Sequence, residues 1–264
     1  MKINKQIWIL SFLAMVLILS MGFAGKKMQS VKFKGVTVNI DYSNNHFFVN
    51  EDDIKEYFED MGYKKDTLLS AVNIALLERQ IENHPAIESA EVYETIGGTV
   101  HVKVKQRNPI VRIYNRKKDS FYIDEKGYLM PFSTKYSPRV LIANGHIYDD
   151  FISYVGKNIN DLDPETDSLP RHFMLAKILA VARYINQSEF WKAQIQQLYV
   201  NEQFEMELIP RVGNHIIVIG DTTNLNEKFE KLRIFYQKGL PNAGWNKYSV
   251  INLKYKNQVV CVKK

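Results

Sequence analysis

The residues from Ile7 to Ala24, IWILSFLAMVLILSMGFA, form eighteen consecutive positions without a charge. As a helix rising ~1.5 Å per residue they would cover about 27 Å, close to the ~30 Å hydrocarbon core of a bilayer. No other stretch of the chain is apolar for so long. The run predicts a single membrane helix over 7–24, a head of residues 1–6, and about 240 residues hanging from it. A cleaved signal peptide competes with this reading, and Lys2 and Lys5 suit either. The run is longer than a signal peptide's apolar core of about 7–15 residues, and Phe23 between Gly22 and Ala24 spoils a small-x-small cleavage site. An uncleaved anchor is favoured. Charge pulls the other way on orientation. Cytoplasmic flanks are enriched in lysine, yet Lys26, Lys27, Lys32 and Lys34 follow the span and only Lys2 and Lys5 precede it. With so short a head, export of the large C-terminal part is still the expectation.

The soluble part is long enough for one or two domains. A hydrophobic content of 45% with 24% charged residues is that of a folded protein rather than a disordered one. The net charge of +6 would suit an anionic partner. The basic residues are scattered, however, and Arg116-Lys117-Lys118 is the one triplet outside the N-terminus, so nucleic-acid binding is not expected. Cys261 is the only cysteine, which excludes an internal disulfide and a cysteine zinc site.

Periodicity divides the rest. Residues 25–35 read as a basic stalk. Val36 to Ile40 alternates apolar and polar as a half-buried strand, and Phe47-Phe48-Val49 reads as its continuation or a second short strand. Asn50 reads as an N-cap with Asp53 as the third residue of a capping box. The helix that follows places Ile54, Tyr57, Phe58 and Met61 on one face and stops at Gly62. A second helix over 72–83 stacks Ile74, Leu77 and Ile81 and ends before His84-Pro85. A hairpin of 86–96 and 99–106 turns at Gly97-Gly98, with Val100, Val102 and Val104 on one face. This is β-α-α-β-β over 36–107, with Ile54, Phe58, Ile74, Leu77 and Val102 expected in one core. From Asn108-Pro109 onward, 108–264 reads as a β-rich domain. Its strands are expected near 110–114, 120–124, 128–132, 140–142, 195–200, 204–210, 215–219, 248–255 and 258–262, and its helices over 173–185 and 225–237.

Chemistry is sparse. The six histidines are dispersed without ligand spacing. Asp161 to Asp167 imitates a calcium loop but has no sixth-position glycine and carries His172 in place of the closing glutamate. Asp52-Asp53 lies in a first helical turn, where acids complement the helix dipole. Neither a phosphate loop nor a nucleophile elbow occurs. The expectation is a non-enzyme with no cofactor, no metal and no small-molecule substrate.

Four segments resemble a known family: RQIENHPAIESAEVYETIGGTVHVKVKQRNPIVRIY, FYIDEKGYLMPFS with a D-x-x-G strand turn, FEMELIPRVGNHIIVIGD followed by EKFEKLRIFY, and VINLKYKNQVVCV. Their order is similar to that of FtsQ/DivIB, bacterial division proteins with a short head, one membrane helix, a POTRA domain and a β domain. This sequence departs from the family pattern at Ala86, Asn252, Gln258 and Lys263. The resemblance implies an α+β fold and a tether without catalysis at the division septum of the inner (plasma) membrane. It also implies recruitment of FtsB/FtsL-like partners. The last strand would then be a sheet edge open to strand addition, with Tyr255, Asn257, Val259, Val260, Cys261 and Val262 as partner-binding residues and Tyr255 as an aromatic anchor. The competing reading for the valines is completion of the core. A POTRA-type assembly factor that captures exported polypeptides at the hairpin edge 86–106 is the second function, and a basic domain bound to lipid or nucleic acid the third.

Overall fold

The computed structural model describes residues 8–10, 12–16, 31–163, 169–170 and 172–264. The expected span 7–24 lies largely outside them. Residues 8–10 and 12–16 are helical and exposed, and no helix among the described residues is long and apolar enough to cross a membrane. The chain divides into two compact units, Met1–Gln106 and Arg107–Lys264.

The first unit runs β1 (Gly35–Asp41), α1 (Glu51–Asp60), a 3₁₀ turn (Leu69–Ala71), α2 (Ile74–Glu82), β2 (Ile87–Glu94) and β3 (Thr99–Gln106). Asn50 caps α1 in full. Its side chain accepts from the Asp53 N–H at 2.9 Å, and Asp53 accepts from the Asn50 N–H at 2.9 Å. The sheet order is β1-β3-β2, with β1 parallel and β2 antiparallel to β3. Val100, Val102 and Val104 point inward and are buried with Ile54, Phe58, Leu77 and Ile81. Two expectations change. Ile74 is only half-buried, because it opens its helix at the rim. Phe47-Phe48-Val49 is not a strand. The buried Gln106 side chain replaces the ladder there, accepting from the N–H groups of Phe48 and Val49 at 2.9 and 3.1 Å and donating to the His46 carbonyl at 2.8 Å.

The second unit holds β4 (Pro109–Tyr114), β5 (Ser120–Asp124), β6 (Leu129–Pro131), β7 (Leu141–Gly145), α3 (Leu175–Asn186), α4 (Glu189–Gln194), β8 (Ile195–Val200), β9 (Met206–Pro210), β10 (Ile216–Gly220), α5 (Leu225–Ile234), α6 (Leu240–Ala243), β11 (Tyr248–Asn252) and β12 (Val260–Lys263). Among the described residues its sheet has nine strands in the order β12-β11-β10-β9-β8-β7-β4-β5-β6. Successive side chains of a strand point to opposite faces. One face supplies Val111, Ile113, Phe121, Ile123, Leu198, Leu208, Ile217 and Ile251 to a core closed by Ile178, Leu179 and Ala182 of α3, Trp191 of α4, and Phe229 and Leu232 of α5. The opposite face keeps Ile142, Ile216, Val260 and Val262 exposed.

Two turns show how local chemistry sets this unit. Asp124 Oδ1 accepts from the N–H groups of Gly127 and Tyr128, both at 2.7 Å, while Arg107 pairs with Oδ2 at 3.1 Å. Gly127 has φ +101°, where a side chain would be strained. The D-x-x-G turn is thus a carboxylate closing a backbone loop. The helix expected over 225–237 ends earlier, at Ile234, and passes through a π-turn at 235–239 into α6. Pro241 has no N–H to give Gln237 and crowds that carbonyl, so the hydrogen-bond register widens there.

Candidate partner-binding edge

β12 lies at the end of the sheet and pairs on one side only, antiparallel to β11. Its cross-strand neighbours set two short rows on the exposed face, one apolar throughout and one interrupted by Asn252. Val262 lies opposite Val250, which lies opposite Ile216; Val260 lies opposite Asn252, which lies opposite Val218. Val262 is 54% exposed, Val260 40% and Ile216 38%. Cys261 points the other way, half-buried and packed against the core together with Val259. Burial raises the pKa of the Cys261 thiol, which keeps it protonated. The other end strand of this sheet, β6, is three residues long and finishes on Pro131, a common way of blunting an edge. The Val-Cys-Val segment of β12 carries neither a proline nor a charge.

The hairpin leading into β12 is fixed at its base. Lys231 of α5 donates to the carbonyls of Leu253 at 3.2 Å and Tyr255 at 2.6 Å. Lys254 pairs with Glu205 at 2.7 Å, which raises the pKa of the lysine. Asn257 takes φ +57°, a conformation asparagine tolerates, and its N–H reaches Glu227 at 3.5 Å. Tyr255 stands on this frame with 47% of its surface exposed. Tyr255, Val260 and Val262 are thus all left exposed, with Asn257 at the turn between them. Val259 and Cys261 can offer a partner only backbone. Sequence reasoning missed Lys231, Lys254 and Glu205. The Glu227/Lys231 spacing of i, i+4 was the one legible signal for them.

The hairpin edge of the first unit is different. β3 is enclosed between β1 and β2. On the outer side of β2, the Val92 N–H donates to Glu78 at 2.9 Å and the Ala90 N–H to Glu82 at 3.3 Å. Side chains of α2 thus occupy donors that an added strand would need.

A second buried feature lies in the second unit. Asp149 is 2% exposed; its Oδ2 accepts from the Met174 N–H at 2.9 Å, ahead of α3, and its Oδ1 has no hydrogen-bond partner. Burial pushes its pKa up from 3.8 to about 6, against the lowering effect of the N–H groups of Met174 and Leu175. Among the described residues, no group of histidine, cysteine and acidic side chains could hold a metal ion.

Residues 108–262, more than half of the chain, match the family model described as FtsQ/DivIB, C-terminal related. The chain belongs to the FtsQ/DivIB family. Residues 25–105 match the model of a POTRA-like domain. Together these are the POTRA and C-terminal parts that the four quoted segments led one to expect. FtsQ/DivIB proteins form a non-enzymatic, membrane-associated cell-division family, which gives this chain a scaffold role in division. A search of the curated proteins found no match.

Proposed function

We propose that this FtsQ/DivIB protein is held in the inner (plasma) membrane by residues 7–24, with a cytoplasmic head of 1–6; of the expected stalk 25–35, the part from Val31 onward is hydrogen-bonded into the first unit, which leaves 25–30 as the stalk. Its POTRA-like 36–107 and β-rich 108–264 regions work outside the cytoplasm at the septum. There it tethers bitopic division proteins of the FtsB/FtsL kind, one partner segment adding to β12 as a further strand. The observation that carries this reading is the four-residue edge strand with Val260 and Val262 exposed, preceded by a turn whose Tyr255 is also exposed. An edge strand presents unpaired backbone groups to an incoming chain, and alternate side chains of that chain would reach the valine rows. The occupied outer edge of β2 argues against the POTRA-type assembly factor.

The test compares the full-length protein with Val260→Pro and Tyr255→Ala variants for binding of an FtsB-like segment, with circular dichroism as the folding control. Proline in the edge removes a donor and resists extension of the sheet. Loss of the tyrosine should cost on the order of 2 kcal/mol if it is a central contact. Unchanged affinity in both folded variants would show that the partner binds elsewhere.

A further inference from the structure

Ile96 is 87% exposed, more than any other large hydrophobic side chain among the described residues. It sits on the β2–β3 turn, which is well defined: the Thr95 N–H donates to the Thr99 carbonyl at 2.9 Å, the Gly98 N–H to the Thr95 carbonyl at 2.9 Å, and Thr95 Oγ1 to Thr99 at 3.0 Å. Such a turn normally carries polar residues, so this isoleucine stands on a rigid tip with no intramolecular reason to be apolar.

The tip lies where the chain enters the unit. The Lys34 N–H donates to the Gly98 carbonyl at 2.8 Å, and a Cβ on Gly98 would stand 2.2 Å from the Lys32 carbonyl oxygen. The loop before α2 converges on the same place, with the Phe33 N–H donating to Thr67 at 2.7 Å and the Leu69 N–H to Val31 at 2.8 Å. Leu68, opposite Lys32, is 49% exposed. Lys32 and Lys34 of the entering chain and Lys64 and Lys65 of the loop before Leu68 are exposed, as are the carboxylates of Asp66 and Glu94. Asp66 lies 4.0 Å from Lys32. The entry end of the unit is thus apolar at its tip and basic around it.

Only residues 25–30 separate the apolar run from Val31. Seven Cα steps reach at most about 25 Å, so the entry end is leashed to the bilayer on which the anchor reading depends. We infer that this end docks on the membrane surface, Ile96 and Leu68 entering the headgroup layer and Lys32, Lys34, Lys64 and Lys65 meeting anionic phospholipid phosphates. The inference rests on the anchor proposed above. It also gives Lys32 and Lys34, which follow the span, a purpose other than topology: they serve lipid headgroups rather than orientation.

The experiment uses the full-length protein in vesicles of phosphatidylcholine with or without phosphatidylglycerol, on a Cys261→Ser background. A single environment-sensitive fluorophore is placed at Ile96→Cys, Phe12→Cys or Asn44→Cys, and nitroxide lipids report shallow or deep quenching. Residue 44 follows β1 at its far end, about 20 Å from the tip by strand rise. Deep quenching at 12, with shallow quenching at 96 above that at 44 and growing with phosphatidylglycerol, is expected. The pair Lys64→Gln/Lys65→Gln should then lower the docked-to-free ratio at 96 about twenty-five-fold, at about fivefold per lysine. Quenching at 12 with equal signals at 96 and 44 overturns the inference and leaves the anchor standing. Quenching at 96 that ignores phosphatidylglycerol overturns the anionic-lipid part. Absence of quenching at 12 removes the anchor, and this inference with it.

Discussion

Asp149→Asn changes one buried atom type and should remove a pH dependence from the stability of the second unit. In the folded protein the carboxyl titrates at about 6, against an ordinary 3.8, because burial penalises its charge. The folded state therefore holds a proton that the unfolded chain has lost between those two values. Stability from this group is fully present below about pH 4 and falls as pH rises through 6. A shift of about two units at ~1.4 kcal/mol each gives a loss of about 3 kcal/mol across the window. Asparagine keeps an oxygen for the Met174 N–H but does not titrate. The assay is urea unfolding at half-unit steps from pH 4 to pH 7.5, followed by the fluorescence of Trp191 and Trp245, both in the second unit. His215, whose pKa burial lowers, contributes in the opposite direction, gaining stability as pH rises. Asp150 and Asp221, lowered to about 2 by Lys117 and Lys228 respectively, act below the window. Subtracting the variant from the wild type cancels these groups. A difference that stays flat from pH 4 to pH 7 would refute the account of Asp149.

Two further substitutions probe turns and caps. Asp124→Ala leaves the mostly buried Arg107 guanidinium without its carboxylate, takes the side-chain acceptor from Tyr128, and leaves the Gly127 N–H only the residue 124 carbonyl at 3.1 Å. Removing one partner of a buried pair costs about 3–5 kcal/mol, so tryptophan-monitored unfolding of the second unit should shift by that order; a loss under about 1 kcal/mol would mean the pair behaves as a surface one. Asn50→Ala should cost the first unit about 1 kcal/mol and Asn50→Gly only a few tenths, read as hydrogen-exchange protection of α1. Equal losses for the two would refute the capping role.

Much of the local structure could be read in the residues, because its causes span only a few positions. Asn50 with Asp53 marks a helix start, Gly97-Gly98 marks a turn, and Val100-x-Val102-x-Val104 marks a buried strand face. The helix expected over 173–185 appears as α3, with Ile178, Leu179, Ala182 and Ile185 buried at helical spacing. The short helix α4 escaped because six residues around one buried tryptophan give no period to detect. Gln106, Asp149 and the outward donors of β2 escaped for another reason. Each takes its partner from another element, the β2 donors 8 and 14 positions away, Asp149 Oδ2 25 positions away and Gln106 57 to 60 positions away.

Of the candidate edge, the apolar run 259–262 and the asparagine turn belong to the sequence, since both are properties of neighbouring residues. Which side of those residues meets a neighbour does not. β12 is an edge only because β11 runs parallel to β10 and antiparallel to β12, and nothing joins on the far side among the described residues. The same pattern in a central strand would have put Val260 and Val262 in the core instead of leaving them half-exposed. Strand order is fixed by which hydrophobic faces close on which helices, a matter of contacts between residues tens to more than a hundred positions apart. The sequence by itself determined most of the elements, the Asn50 cap and the inward valines of β3; the tertiary structure decided which strand of the second sheet was left open.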